Sequence, residues 1–121
     1  MHDLVEGANA AGPDLSQVRQ YWEANPLSTF ESHLQIGTPA FFDWYNDYRC
    51  SDNEAFTLHL HEFDQHAGER VLDIGCGVGW LCRNFALGGA NVMGVDVTRR
   101  GVELTHEIGR ASCRERVYVL V

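Results

Sequence analysis

The stretch that decides the fold runs from Arg70 to Trp80 and reads RVLDIGCGVGW. It begins with a short apolar run closed by glycine, which is typical of a buried parallel strand. The glycines at positions 75, 77 and 79 form a GxGxG loop, and residues 80–87 predict a helix that stops at two further glycines. The sequence therefore predicts a strand, a glycine loop and a helix in direct succession.

A second strand and helix follow this unit. Asn91 to Val97 reads NVMGVDV and predicts a strand, and Thr98 to about Glu107 is predicted to begin another helix. Strand, helix, strand, helix is a βαβ unit, whose strands are parallel and joined by a right-handed crossover. We predict an α/β fold, namely the N-terminal part of a Rossmann-like parallel sheet.

Helices are predicted ahead of the sheet. Residues 15–24 have apolar side chains at helical spacing, and Asn25-Pro26 ends that helix. A second helix is predicted from Pro39 to about Arg49, because Thr38 can cap it and proline suits its first position. A third is predicted from about residue 53 to residue 66, with three apolar side chains on one side: Phe56, Leu60 and Phe63.

Composition and charge exclude several classes of function. The 121 residues carry a formal net charge of -8, and all nine basic residues are arginine, so we predict no nucleic-acid partner. The sequence contains no run of about 18 apolar residues and no signal peptide at its start, which predicts no membrane span and a cytoplasmic location. The four cysteines form no CxxC pair, and a histidine pair at His59 and His61 lies in a predicted helix, where such side chains diverge. We therefore predict neither disulfides nor a metal site.

The glycine loop and the acid that follows it indicate an adenosine-containing cofactor. Glycine lets the backbone approach a ligand, and the next helix offers free N–H groups. Asp96 lies about 20 residues beyond the loop, where a nucleotide-binding βαβ unit places the acid that binds a ribose. The alternative is that Asp73 and Asp96 only cap the following loop or helix.

The spacing distinguishes between cofactors. A dinucleotide fingerprint, GxGxxG, needs its third glycine at position 80, which is Trp80. The order apolar residues, Asp73 and then GxGxG instead resembles motif I of class I S-adenosylmethionine-dependent methyltransferases. The resemblance implies S-adenosyl-L-methionine as cofactor, with Asp73 near its amino group and Asp96 on its ribose. It assigns ten residues to cofactor binding: Tyr21, Trp22, Asp73, Gly75, Cys76, Gly77, Gly79, Trp80, Asp96 and Val97.

The head of the chain also carries a resemblance. Residues 21–26, YWEANP, with Gly37, Phe41-Phe42 and Tyr48-Arg49, are similar to the N-terminal helices of a ubiquinone/menaquinone-biosynthesis-like (type 11-like) subgroup. In that subgroup these helices cover the cofactor and part of the substrate pocket. The favoured alternative for the aromatic residues Tyr21, Trp22 and Tyr48 is that they belong to the core, since aromatic side chains dominate burial.

Four segments are predicted: a disordered tail at 1–14, a helical cap region at 15–67, the first half of the cofactor-binding domain at 68–106, and a non-native tail at 107–121. The string EIGRASCRERV within the last segment resembles a translated sequencing adapter. The alternative is a native third strand from Arg116 to Val121. Half of an α/β domain buries little apolar surface, so we expect the 121-residue chain to be unstable by itself.

The predicted function is methyl transfer to a small-molecule acceptor. The fragment itself is expected to be inactive, and no catalytic residue is assigned, because a general base would come from later strands or loops. Two alternatives stay open: an NAD- or FAD-dependent oxidoreductase built on a Rossmann unit, and a non-catalytic module of the same fold. The sequence leaves the acceptor and the oligomeric state unknown.

Overall fold

The computed structural model describes residues 12–26, 29–51, 55–112 and 117–120. Most of the predicted tail at 1–14 therefore lies outside the described residues. The elements are α1 (Leu15–Ala24), α2 (Pro39–Arg49), α3 (Leu58–His61), β1 (Arg70–Ile74), α4 (Trp80–Leu87), β2 (Asn91–Val95), α5 (Arg99–Ser112) and β3 (Val117–Leu120). Short 3-10 turns lie at Thr29–Glu31 and Ala55–Thr57.

The first two helices begin where the sequence predicts. Asp14 and Gln17 form a reciprocal capping box at the start of α1. Thr38 accepts a hydrogen bond from the Phe41 N–H at the start of α2, and Pro39 occupies the first turn. Local capping chemistry therefore sets both boundaries.

The strands form one parallel sheet in the order β1-β2-β3. Ile74 pairs with Val95, and Val95 pairs with Leu120, so the carboxyl ends of the three strands meet at one edge. The predicted α/β fold with a parallel, Rossmann-like sheet is confirmed. β2 ends at Val95 rather than at Val97, so Asp96 is the first residue after the strand.

The helices α4 and α5 pack on one face of the sheet and create two buried clusters. One cluster joins α2 to α4 and α5: Phe41, Phe42, Tyr45, Val78, Trp80, Leu104 and Ile108. The other lies between α4 and the sheet: Cys76, Cys82, Ala86, Ala90 and Val92. Burial of such side chains contributes about 25 cal/mol per Å² of apolar surface, so the core holds the head region against the sheet.

The opposite face of the sheet is uncovered by the described residues. Register places Leu72, Met93 and Tyr118 in one row across the strands. Leu72 is 58% exposed and Ile74 is 79% exposed. Parallel sheets normally bury both faces, so this apolar surface is unusual for a domain that stands alone.

The prediction of a long third helix was wrong. Within the described residues α3 spans only Leu58–His61, because Glu62 adopts a left-handed conformation with φ of 54° that ends the helix. The chain then turns, and the Phe63 ring packs edge-on against Phe85 at 4.9 Å. Phe56 and Leu60, which were predicted to share its apolar side, are exposed.

The C-terminal segment forms regular elements. The helix predicted to begin within residues 98–107 extends to Ser112, because Leu104, Ile108 and Gly109 keep its buried side facing the sheet and α2. Val117–Leu120 pairs with β2 at the position of the alternative third strand. The division of the chain into four segments, including a non-native origin for residues 107–121, stays a prediction.

Candidate functional site

The glycine loop lies at the carboxyl edge of the sheet, between β1 and α4. Gly75, Gly77 and Gly79 have φ of 78°, 53° and 88°, in the left-handed region that favours glycine. The N–H groups of Gly75 and Cys76 both donate to the Val95 carbonyl, at 2.8 and 3.1 Å, which fixes the loop against the end of β2. A Cβ on Gly75 would meet no atom within 4 Å, so the loop backbone there faces open space.

Asp96 connects the glycine loop to the start of α5. Its Oδ2 accepts a hydrogen bond from the Gly77 N–H at 2.9 Å. Its Oδ1 accepts from the Thr98 N–H at 2.8 Å and from the Thr98 hydroxyl at 2.6 Å. The capping role that the alternative interpretation gave to this carboxylate is therefore present. A carboxylate has about four acceptor positions, which leaves capacity on Oδ2 for a ligand.

Asp73 is a half-buried carboxyl group at the end of β1. Its Oδ2 accepts a hydrogen bond from the Cys82 thiol at 3.3 Å. Burial raises the pKa of Asp73 above its usual value, and the negative charge of Asp96 raises the pKa further. A cation placed between the two carboxylates would relieve both effects.

Two cysteines lie beneath the loop. Cys76 and Cys82 are free and buried thiols, and the Thr105 hydroxyl lies 3.3 Å from Cys76 Sγ. The interaction between the two thiols lowers the pKa of Cys76 and raises the pKa of Cys82, and burial and Asp73 raise the pKa of Cys82 further. Among the described residues, Cys50, Cys76 and Cys82 form no disulfide, and reduced thiols stay a prediction.

The loop and both carboxylates face one cavity of about 440 Å³. Nine of the ten residues assigned from the sequence line this cavity: Trp22, Asp73, Gly75, Cys76, Gly77, Gly79, Trp80, Asp96 and Val97. The tenth, Tyr21, is 59% exposed and contacts the Trp22 ring edge-on at 5.0 Å instead of lining the cavity. Its side of α1 is turned away from the cavity.

The interpretation that the aromatic residues of α1, Tyr21 and Trp22, belong to the core was wrong. Tyr21 and Trp22 are both exposed, and α1 contains no buried residue. Tyr48 is half-buried and stacks on Trp44, with ring centroids 5.3 Å apart. Of these three aromatic residues, Trp22 is the one that lines the cavity.

Trp80 explains why the third glycine of a dinucleotide fingerprint is absent. Its indole N–H donates to Asn46 Oδ1 at 3.0 Å, and the Arg49 guanidinium lies 4.7 Å from the centroid of its ring. Trp80 is buried and joins the start of α4 to α2. A glycine there would break this connection.

Several lining residues carried no assignment in the sequence. They are Val18, Pro26, Tyr45, Arg49, Val78, Leu81, Thr98 and Gly101. Arg49 is the only cation among the described lining residues, so its guanidinium supplies the positive charge of a cavity that also contains two carboxylates. Its position depends on how α2 packs against Trp80, which sequence spacing does not encode.

A parallel sheet with a GxGxG loop after its first strand, and carboxylates at the ends of its first two strands around one cavity, defines a class I S-adenosylmethionine-dependent methyltransferase domain. Residues 42–118, more than half of the chain, match the methyltransferase domain family. The chain belongs to that family.

Comparisons with known proteins cover different parts of the chain. The ubiquinone biosynthesis O-methyltransferase of Chromobacterium violaceum is 40% identical over 55 residues, or 43% of this chain and 24% of that protein. The tRNA U34 carboxymethyltransferase of Alcanivorax borkumensis is 32% identical over 78 residues, or 64% of this chain and 20% of that protein. The chain thus matches a quarter or less of the length of these relatives.

A solved structure shares the fold. The crystal structure of magnesium protoporphyrin IX methyltransferase from Synechocystis PCC 6803 with bound SAH has a TM-score of 0.54 and 22% identity, covering 88% of this chain and 50% of that one. Among the described residues, no helix has the length and apolarity needed to cross a membrane. The same residues contain no group of three or more potential metal ligands.

Proposed function

We propose that this chain carries the cofactor-binding part of an enzyme that transfers a methyl group from S-adenosyl-L-methionine to a small-molecule acceptor. The observation that carries the proposal is the convergence of the glycine loop, Asp73 and Asp96 on one cavity. Its volume of about 440 Å³ falls within the range typical of small-molecule sites.

The charged groups of the cavity match those of the cofactor. Asp73 would accept a hydrogen bond from the ammonium group of the methionine part, since a nearby cation offsets the cost of burying the carboxylate. Arg49 would hold the carboxylate of the same part, because guanidinium binds carboxylates through two parallel hydrogen bonds. Asp96 Oδ2 would accept a hydrogen bond from a ribose hydroxyl. The open space at the Gly75 backbone leaves room for the ligand.

Methyl transfer needs positioning more than covalent help from the protein. When bound, the cofactor supplies a methyl group on a positively charged sulfur for an in-line displacement. The chain's own contribution is to hold the donor at a fixed place and exclude water, which lowers the entropic part of the barrier. The aromatic rings of Trp22, Tyr45 and Trp80 provide walls that favour a cation over water.

A small-molecule acceptor fits the charge of the chain better than RNA does. One relative is a tRNA U34 carboxymethyltransferase, so RNA is the acceptor class to weigh against a small molecule. RNA binding requires cations that neutralise phosphates, and this chain has a formal net charge of -8 with no lysine. We therefore propose a small molecule, as for the ubiquinone biosynthesis relatives.

Calorimetry tests the proposal. The protein is expressed from the longest open reading frame that contains residues 15–106 and is titrated with S-adenosylhomocysteine, NAD and FAD in parallel. We expect S-adenosylhomocysteine to bind with a stoichiometry near one, and the two dinucleotides not to bind. Binding of NAD or FAD without binding of S-adenosylhomocysteine would favour the oxidoreductase and overturn the proposal.

A second assay separates the classes of acceptor. Release of S-adenosylhomocysteine is followed with phenolic small molecules and with tRNA as acceptors. Turnover with a small molecule supports the proposal. Turnover with tRNA alone would show that the acceptor class is wrong while the cofactor assignment holds.

A further inference from the structure

Helix α1 covers the cavity without being buried. Val18 and Trp22 of α1, followed by Pro26, line the cavity from the head side, while Val97 and Gly101 line it from the β2–α5 side. The helix contains no buried residue, so apolar burial contributes little to holding it in place. Its position requires another interaction.

Glu23 supplies that interaction. Its Oε2 accepts a hydrogen bond from the Arg99 N–H, and its Oε1 accepts one from the Arg100 N–H, both at 2.9 Å. These are the first two residues of α5, whose N–H groups have no partner within the helix. A carboxylate at a helix N-terminus is also favoured by the helix dipole.

The capped turn contacts the proposed ribose-binding residue. The Thr98 hydroxyl accepts from the Gly101 N–H at 3.0 Å and donates to Asp96 at 2.6 Å. Asp96 in turn accepts from the Gly77 N–H of the glycine loop. Glu23 on α1 is therefore linked to the loop that faces the cavity by hydrogen bonds at the two ends of one short backbone segment, residues 98–101.

We propose that Glu23 is a positioning residue that holds α1 as a lid over the cofactor cavity by capping the N-terminus of α5. The inference rests on the proposed function, because it concerns the retention of the same cofactor. Loss of the cap frees α1 to move away, so the cofactor dissociates faster while the glycine loop and Asp96 still allow it to bind.

Two pairs of variants test the cap from both sides. Glu23→Ala removes the acceptor, and Glu31→Gln changes an exposed glutamate of the Thr29–Glu31 turn as its control. Arg99→Pro removes one donor N–H, and proline is tolerated in the first turn of a helix. Arg99→Ala keeps that N–H and is the matched control.

Two measurements are made on the protein from the longest open reading frame. Hydrogen exchange without cofactor reports the mobility of α1, and stopped-flow measurement gives the dissociation rate of S-adenosylhomocysteine. We expect Glu23→Ala and Arg99→Pro to speed exchange in residues 15–24 but not in β1 or α4. We also expect Glu23→Ala to raise the dissociation rate about tenfold, the effect of about 1.4 kcal/mol, with both controls unchanged.

The outcomes distinguish the lid from the cofactor assignment. Faster exchange in α1 with an unchanged dissociation rate would overturn the lid, and unchanged exchange would show that Glu23 does not hold α1. If the unaltered protein binds no S-adenosylhomocysteine, the proposed function fails and the lid with it, while the exchange data still show whether the cap exists.

Discussion

At the residue scale, Asp96 joins the glycine loop to the β2–α5 turn through one carboxylate. In Asp96→Asn an amide NH2 replaces one oxygen and leaves the N–H of Gly77 or Thr98 without an acceptor. An unsatisfied buried donor costs about 1–3 kcal/mol, so we expect the free energy of unfolding to fall by that amount. We also expect weaker binding of S-adenosylhomocysteine, measured by calorimetry. Asp43→Asn, on the exposed side of α2, is the control, and equal effects of the two changes would contradict this role.

The half-buried carboxyl group of Asp73 predicts a pH dependence. Its pKa in the folded protein is raised above the usual 3.8, so the folded state binds the proton more tightly than the unfolded state does. The free energy of unfolding therefore falls as pH rises from about 3.8 through the raised pKa, and is constant above it. Asp73→Asn should lack this fall, so its stability relative to the unaltered protein increases with pH. Denaturant titrations at several pH values measure the difference, and parallel curves would exclude the effect.

Gly79 of the loop and Gly68, which precedes β1, differ in what a side chain would meet. A Cβ at Gly79 would lie 2.8 Å from Thr105 Cα and 2.9 Å from Ile108 Cγ2, whereas a Cβ at Gly68 would meet nothing within 4 Å. Both glycines have positive φ, near 88° and 80°, so their replacement by alanine carries similar backbone strain. We expect Gly79→Ala to lower the free energy of unfolding by about 1–3 kcal/mol more than Gly68→Ala does, because α5 must move to make room for the Cβ. Equal losses would show that α5 does not pack against the loop.

Local motifs explain which site residues were predictable. The positions of Asp73, Asp96 and the glycines follow from a turn whose geometry is encoded within a few residues. Arg49 was not assigned, because its place in the cavity depends on a tertiary contact with Trp80. Tyr21 was assigned with Trp22, although adjacent residues on a helix point about 100° apart, and only one of them reaches the cavity.

At the element scale, Trp80 connects α4 to α2. We predict that the indole N–H and the Asn46 side chain are energetically coupled, because they form a 3.0 Å hydrogen bond between the two helices. In a double-mutant cycle with Trp80→Phe and Asn46→Ala, the coupling should be about 0.5–1.5 kcal/mol. Additive effects on the free energy of unfolding would show that the bond does not join the helices.

The helices differ in how well their ends could be predicted. α1, α2 and α4 have capping residues or glycines at their boundaries, and the predicted ends agree with the structure. The third helix was predicted too long, because the left-handed turn at Glu62 lies in a segment without glycine or proline. The sequence predicted where α5 begins but not where it ends, because its contacts with β3 and α2 extend it to Ser112.

At the scale of the whole molecule, one sheet face is apolar and uncovered by the described residues. We predict that the 121-residue chain expressed alone aggregates or unfolds without cooperativity, since exposed apolar strands promote association. Sedimentation and thermal unfolding measure this, with the product of the longest open reading frame as the comparison. A cooperative transition that S-adenosyl-L-methionine shifts upward would contradict the prediction.

The central claim is that the loop of Gly75, Gly77 and Gly79 contacts one adenosyl ligand between two carboxylates. Amide chemical shifts during titration with S-adenosylhomocysteine test it most directly, in protein from the longest open reading frame. We predict that the largest changes fall on these three glycines and on Asp96 and Thr98, and that NAD leaves them unchanged. Saturable binding whose largest changes lie away from the loop would contradict the claim.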